Sequence, residues 1–265
     1  MLELTHVYKS FNIKTPVQKD VLKDLSLTLH EGDFVTVIGG NGAGKSTMLN
    51  AVAGVFPVEK GSIHIAGEDV TKMPEYKRAK YIGRVFQDPL KGTAGDMWIE
   101  ENLAMALRRG EKRGCKWGIS NKERELFKEL LKTLDLGLED RLDSKVGLLS
   151  GGQRQALTLL MATIKKPELL LLDEHTAALD PHTAAKVLEI TNRVVTENHL
   201  TTLMVTHNMK DAIKYGNRLI MMHNGKIIYD VSGEEKMNLQ VSDLLMKFEQ
   251  VSGGEFANDR MLLSK

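Results

Sequence analysis

The sequence predicts an α/β fold: a phosphate-loop (P-loop) nucleotide-binding core with a mainly parallel sheet, an N-terminal antiparallel β subdomain and an inserted helical subdomain. Three observations carry that prediction. The run Gly39-Gly40-Asn41-Gly42-Ala43-Gly44-Lys45-Ser46-Thr47 has the G-x-x-x-x-G-K-[ST] spacing of a phosphate-binding loop. Short apolar runs at 169–172, 202–206 and 219–222 alternate with helical segments, as parallel strands joined by crossover helices do. Between Asp88 and about Leu169 strand-like runs disappear and apolar residues recur at helical spacing instead.

In chain order, residues 2–8 alternate loosely, and Leu25, Leu27 and Leu29 alternate with Ser26, Thr28 and His30, which predicts half-buried antiparallel strands. Glu31-Gly32-Asp33 turns the chain into the apolar, β-branched run Phe34-Val35-Thr36-Val37-Ile38, a buried strand leading to the phosphate loop. Met48-Leu49-Asn50-Ala51-Val52-Ala53 then reads as a helix ending at Gly54. Residues 61–67 form a short strand closed by glycine, and the charged residues 74–80 predict an exposed helix or loop. Tyr81-Ile82-Gly83-Arg84-Val85-Phe86 is a strand that delivers Gln87. In the helical stretch, residues 100–107 make one helix, and Leu126, Phe127, Leu130, Leu131 and Leu134 mark the apolar face of another. The basic run from Arg108 to Gly114 reads as a solvated loop, and the last twenty residues as a helix and frayed tail, with the change at Ser252-Gly253-Gly254.

A chain of 265 residues with 42% hydrophobic and 27% charged side chains buries a core of ordinary size. The net charge of +1 gives no electrostatic footprint for nucleic acid. Cys115, the only cysteine, rules out an intrachain disulfide and a thiolate metal cluster and suits a reducing compartment. The N-terminus lacks a signal-peptide pattern and no eighteen apolar residues run together, so the chain is expected to be neither secreted by that route nor membrane-spanning.

The chemistry is read from three motifs. In the phosphate loop the glycines let several N–H groups converge on one phosphate cluster, and the following helix adds the positive end of its dipole. Lys45 is placed to reach the β- and γ-phosphates, Ser46 to give a hydroxyl to Mg²⁺, and Thr47 to add a contact from the first helical turn. Leu169-Leu170-Leu171-Leu172-Asp173-Glu174 is an apolar strand ending in two carboxylates. Asp173 fits as the partner of the Mg²⁺ that Ser46 holds, and Glu174 as the group that orients or deprotonates an attacking water. In Leu149-Ser150-Gly151-Gly152-Gln153, Ser150 is a helix N-cap and the glycines permit close backbone approach, so the segment offers N–H groups and a hydroxyl to an anion.

That last motif, lying between the phosphate loop and the acidic strand, resembles the signature of ATP-binding cassette (ABC) ATPases, and the resemblance covers about residues 2–232. It implies an ATPase powering a membrane transporter, with ATP and Mg²⁺ as cofactors and the signature Ser150, Gly151, Gly152 and Gln153 facing nucleotide held on a second subunit, a homodimer partner or a homologous ATPase subunit. Gln87 resembles the Q-loop glutamine, reaching metal and attacking water, with residues 87–97 facing transmembrane permease subunits. Asp180, in Ala178-Leu179-Asp180, resembles the D-loop aspartate, and His207 the switch histidine at the γ-phosphate. Phe11 occupies the place of the aromatic residue that stacks on adenine, with Tyr8 as its competitor. The resemblance divides the chain into one cassette, 1–235, with a helical part at about 88–162 and a C-terminal helix and tail at 236–265. The run Asp173-Glu174-His175-Thr176-Ala177-Ala178-Leu179-Asp180 is similar to that of bacterial importers of tryptophan-like or other amino acids, which implies an extracytoplasmic solute-binding protein and a place at the cytoplasmic face of the membrane. An exporter subunit, and a nucleotide-gated regulatory or scaffold subunit, are the competing readings.

Three positions depart from the family's common pattern. His175 stands where proline is frequent, either as a polar turn residue or as a pH-sensitive element, and Ala156 and Met161 stand in the signature helix where arginines are usual.

Overall fold

The computed structural model describes residues 1–111 and 118–252. Cys115, the end of the basic run at Lys112 to Gly114, and the tail from Gly253 lie outside the described residues. The order along the chain is β1 (Leu2–Phe11), β2 (Lys19–Leu29), β3 (Phe34–Ile38), α1 (Lys45–Ala53), β4 (Lys60–Ile65), β5 (Glu68–Asp69), α2 (Glu75–Arg78) and β6 (Ile82–Val85). It continues with α3 (Ile99–Leu107), α4 (Asn121–Lys132), α5 (Gly151–Thr163), β7 (Leu169–Asp173), α6 (Pro181–Glu197), β8 (Thr202–Val205) and α7 (Met209–Lys214). The chain then forms β9 (Arg218–His223), β10 (Lys226–Ser232), α8 (Gly233–Met237) and α9 (Val241–Ser252).

Two sheets result. The first has the order β2-β1-β4-β5 and is antiparallel throughout. The second has the order β10-β9-β3-β8-β7-β6, with every neighbouring pair parallel except β9 and β10. The α/β class, the antiparallel N-terminal sheet, the mainly parallel core sheet and the helical insertion between β6 and β7 all match the reading of the sequence.

Strand β7 shows why the core strands are apolar without alternation. Leu169 and Leu171 pack toward α1 and the antiparallel sheet, while Leu170 and Leu172 pack toward α3, α4 and α5, so both faces of the strand are covered. Burying one such leucine stabilises the fold by roughly 1.5–3 kcal/mol. A third apolar cluster joins Met209 and Ala212 of α7 to Leu244 and Phe248 of α9 across Leu219 and Met221.

Three local readings need correction. The charged stretch at 74–80 does form a helix, but Arg78 is only 2% exposed and donates to the carbonyls of Ala51, Val52, Thr71 and Met73. It thereby satisfies carbonyls that α1 leaves open at its C-terminus. Arg108 and Arg109 are half-buried braces rather than solvated charges: Arg109 donates to the Ala162 carbonyl in the last turn of α5 and to the Lys165 carbonyl just beyond it, and Arg108 pairs with Glu123 at 2.8 Å. Finally, the apolar run at 219–222 is half of a hairpin, closed at Asn224-Gly225, whose second strand β10 the sequence reading passed over.

Candidate active site

Because β3, β8, β7 and β6 are parallel neighbours, their C-terminal ends open on one edge of the sheet, and ligands of open α/β sheets bind at that edge. In that order the ends deliver the phosphate loop, His207, the Asp173-Glu174 pair and Gln87. Residues up to 168 positions apart in sequence, Gly39 and His207, are therefore assembled by strand order alone.

The phosphate loop has the backbone that its glycines permit. Gly39, Gly42 and Gly44 hold φ of 152°, 76° and 100°. A Cβ on Gly39 would stand 2.2 Å from the Met222 carbonyl oxygen, so no side chain fits there without displacing β9. Lys45 is 7% exposed and its Nζ donates to the carbonyls of Gly39 at 2.7 Å and Gly40 at 3.2 Å, folded back over the loop it follows. Asn41 and Gly42 are exposed at the loop's crest, Ala43 is buried, and Thr47 is half-buried in the first turn of α1. The hairpin that the sequence reading missed supports this loop: the Gly225 N–H donates to the Ala43 carbonyl at 3.0 Å. The Asn-Gly pair, a strong turn signal between apolar strands, was the clue to it.

Ser46 Oγ donates to Asp173 Oδ1 at 3.2 Å, which brings together the hydroxyl and the carboxylate singled out as metal partners. Burial raises the Asp173 pKa above the usual carboxylate value, opposed by Arg84 and by the Ser46 hydroxyl. Among the described residues no three His, Cys, Asp or Glu side chains gather as a metal cage. The donor set of one hydroxyl and one carboxylate fits Mg²⁺, which takes one or two protein oxygens and completes its shell with water and phosphate.

Glu174 sits just past the end of β7, in the left-handed region at φ 43°, a backbone choice that costs a non-glycine residue of order 1 kcal/mol and turns its side chain out of the strand's alternation. Its N–H still bonds to the Val205 carbonyl at 3.0 Å. Oε1 lies 4.0 Å from Lys45 Nζ and Oε2 lies 3.8 Å from His207 Nδ1. The contact with His207 holds the Glu174 carboxyl below its ordinary value, and Glu174 in turn raises the His207 imidazole. The arrangement is an ionised carboxylate between two cation-forming groups at the mouth of the phosphate loop.

Gln87 is exposed and borders, with Arg84, Phe86, Asp173 and Ala178, a cleft of about 540 Å³ beside the carboxylates. Arg84 and Asn50 are among the residues of this cleft that sequence reasoning did not single out. A lone arginine in an apolar strand was the available signal for the first.

Ser150 caps α5: its Oγ accepts from the Gln153 N–H at 3.3 Å, and Gln153 Oε1 accepts from the Ser150 N–H at 3.2 Å, a reciprocal capping box. Gln153 also donates to the Leu136 carbonyl. Gly152 packs so closely on α6 that a Cβ would meet Thr183 Cγ2 at 2.1 Å. These side-chain bonds stay within the helical part of the chain, and Ser150 and Gly151 are left exposed at the helix start. Asp180 caps α6 by accepting from the Thr183 N–H at 3.1 Å and is itself exposed.

Phe11 ends β1 and meets Phe56 edge to face with centroids 5.3 Å apart, while Lys9 Nζ lies 5.2 Å from its ring centre. Tyr8 projects from the other face of the strand toward Lys60. His175 does stand in a turn, just after β7, but it is buried there and is no sensor at neutral pH: it is 2% exposed, burial brings its pKa down to about 4, and Nε2 lies 3.1 Å from Thr191 Oγ1. Ala156 is fully buried and Met161 half-buried, and both pack in the core between α5 and its neighbours, where the usual arginines would need counter-charges.

Comparison with known proteins agrees with this geometry. The family described as "ABC transporter" matches residues 22–177. The chain is 45% identical over 249 residues to a tyrosine transport ATP-binding protein of Clostridioides difficile (strain R20291), covering 94% of this chain and 99% of that one. It is 34% identical over 236 residues to a spermidine/putrescine import ATP-binding protein of Haemophilus influenzae, covering 89% of this chain and 59% of that one. Among solved structures, a dimeric ATP-binding cassette in a post-hydrolysis state bound to ADP and Pi superposes with a TM-score of 0.75 at 28% identity, covering 88% of this chain and 98% of that one. With the phosphate loop, the acidic strand end and the capped signature segment on one scaffold, the chain belongs to the ABC transporter family, as an ATP-binding cassette that hydrolyses ATP to drive transport.

Proposed function

We propose that this cassette works as a pair, with another copy or a homologous subunit, and powers an importer of amino acids. The observation that carries the pairing is the division of the site. Lys45, Ser46, Asp173, Glu174, His207 and Gln87 stand at one sheet edge, whereas the anion-binding start of α5 at Ser150 is capped, exposed and occupied with its own helix. A second subunit would bring its Ser150, Gly151, Gly152 and Gln153 to the phosphates held here.

In this reading Gly39, Asn41, Gly42, Ala43, Gly44 and Thr47 wrap the phosphates, Phe11 meets the adenine, and Lys45 exchanges the Gly39 and Gly40 carbonyls for phosphate oxygens. Ser46, Asp173 and Gln87 would hold Mg²⁺. When bound, the magnesium nucleotide supplies the γ-phosphoryl group and the charge that neutralises it. Glu174 accepts the proton of the attacking water, and His207 holds that carboxylate ionised and in place. Asp180 and the start of α6 carry the state of one site toward the other.

Gln87, Asp88 and Lys91 line the cleft that Asp173 also borders, and residues 87–97 are the proposed contact with transmembrane permease subunits, which would keep the chain at the cytoplasmic face of the membrane. No helix among the described residues is long and apolar enough to cross a membrane, so on this reading the membrane path is supplied by those partners. The similarity to a tyrosine transport protein supports an aromatic amino acid as the solute, delivered by an extracytoplasmic binding protein. The test is ATP hydrolysis by the chain copurified with its permease in proteoliposomes. Stimulation by a tyrosine- or tryptophan-loaded binding protein is the expected result, and stimulation by solute on the cassette side alone would instead make it an exporter.

A further inference from the structure

We propose that Arg84 is a positioning residue of the metal site: a guanidinium clamp that fixes Asp173 against α1 and ties both to the start of the 87–97 loop. The inference rests on the reading of Asp173 as the magnesium partner.

Arg84 stands in β6, paired in register with Leu171 of β7, two residues before Asp173. Strand alternation puts it on the same face as Ile82, which packs in the apolar cluster beneath α1. A charged side chain there is costly unless paired, and this one is only 12% exposed. Its Nη2 donates to Asn50 Oδ1 of α1 at 2.5 Å and lies 3.7 Å from Asp173 Oδ2. Its Cζ lies 4.5 Å from the centre of the Phe86 ring, the residue immediately before Gln87. Nε is buried without a hydrogen-bond partner among the described residues, and the Glu75 carboxylate adds a further, longer-range attraction for the guanidinium.

The consequence for Asp173 is directional. Arg84 takes the Oδ2 side and Ser46 Oγ the Oδ1 side, so the carboxylate plane is fixed with one oxygen turned to the hydroxyl with which it would share the metal. Outer partners that fix a ligating carboxylate typically contribute about 10–100-fold to metal affinity or activity. Phe86 adds a mechanical link, because its carbonyl also accepts from Gln155 Nε2 of α5 at 3.0 Å. A shift of the 87–97 loop or of the signature helix would therefore reach Asp173 through the Arg84 stack.

The test is a binding measurement with a fluorescent ATP analogue, in EDTA and across a Mg²⁺ titration, on wild type, Arg84→Met, Arg84→Lys and the control Asp173→Asn, with steady-state hydrolysis alongside. Arg84→Met is expected to leave affinity in EDTA within about twofold while raising the Mg²⁺ half-saturation about tenfold. Arg84→Lys, which keeps the charge and loses the planar fork, is expected to fall between the two. An unchanged or lowered Mg²⁺ half-saturation in Arg84→Met overturns the proposal, and so does an equal loss of affinity in EDTA, which would mark a merely structural residue. Should Arg84→Met fail to fold, Arg84→Lys decides on the same criterion, with a rise of about threefold or more in support and anything less against. If Asp173→Asn also leaves the Mg²⁺ dependence unchanged, the metal-site reading itself has failed; if Asp173→Asn shifts it and Arg84→Met does not, only the role of Arg84 has.

Discussion

Glu174 and His207 face each other across the joint between β7 and β8, with Oε2 3.8 Å from Nδ1. Register sets the pair, because Asp173 is matched to Val205 in the parallel ladder and the next residues of both strands leave the sheet together. Each charges the other: the imidazole lowers the carboxyl and the carboxylate raises the imidazole. Glu174→Gln keeps the shape and removes the proton acceptor. Hydrolysis should fall about 10²–10⁴-fold, while nucleotide binding by a fluorescent analogue stays within a few-fold of wild type. Turnover within tenfold of wild type would show that a different group takes the proton.

The exposed, self-capped Ser150 leads to a second expectation. Ser150→Arg places a long side chain at the start of α5 where a partner's phosphates are proposed to dock. Binding of nucleotide to a single chain should persist, whereas the ATP-dependent dimer of a Glu174→Gln background should be lost, as read by size-exclusion chromatography or light scattering. An undiminished ATP-driven dimer in the double variant would contradict a site completed across two subunits.

What the sequence made legible follows from how local each signal was. The phosphate loop, the acidic strand end and the serine cap each lie within nine residues, and their chemistry is written in residue type and spacing. The sheet was legible because β7 and its neighbours are buried on both faces and so lack polar alternation. Strand order was beyond local reading, and with it the carboxylate–imidazole contact of Glu174 with His207 and the approach of Arg84 to Asp173, whereas the meeting of Asp173 with Ser46 was legible through the metal they would share. Arg78 and Arg109 show the opposite error: charge was taken to mean exposure, yet each guanidinium is drawn inward by carbonyls that helix ends leave open.

Arg78 therefore provides a test of stability separate from catalysis. Its guanidinium lies where the C-terminus of α1 meets Gly54, so close that a Cβ on that glycine would come within 2.6 Å of Nε. Arg78→Met keeps most of the apolar stem but takes the side-chain donor from the carbonyls of Val52, Thr71 and Met73, and from that of Ala51, which keeps the Gly54 N–H at 3.2 Å. Urea unfolding should report a loss of about 2–4 kcal/mol, with hydrolysis per folded molecule little changed. A loss under about 0.5 kcal/mol would mean that water replaces the guanidinium at no cost.

His175 makes the acid side of the stability curve specific to one residue. Burial brings its pKa to about 4 from the ordinary 6.5, and its partner Thr191 is uncharged. As pH falls through that interval the unfolded chain takes up a proton that the folded chain refuses, so stability present above about pH 6.5 is lost toward pH 4. A difference of about 2.5 in pKa at ~1.36 kcal/mol each amounts to about 3 kcal/mol. His175→Gln retains a donor and an acceptor and titrates nothing. Measured by urea unfolding in EDTA without nucleotide, the wild type should lose about 3 kcal/mol more than His175→Gln between about pH 7 and about pH 4. Parallel losses in the two proteins would mean that the imidazole is protonated in the folded state, which the uncharged, fully enclosed surroundings at Thr191 oppose.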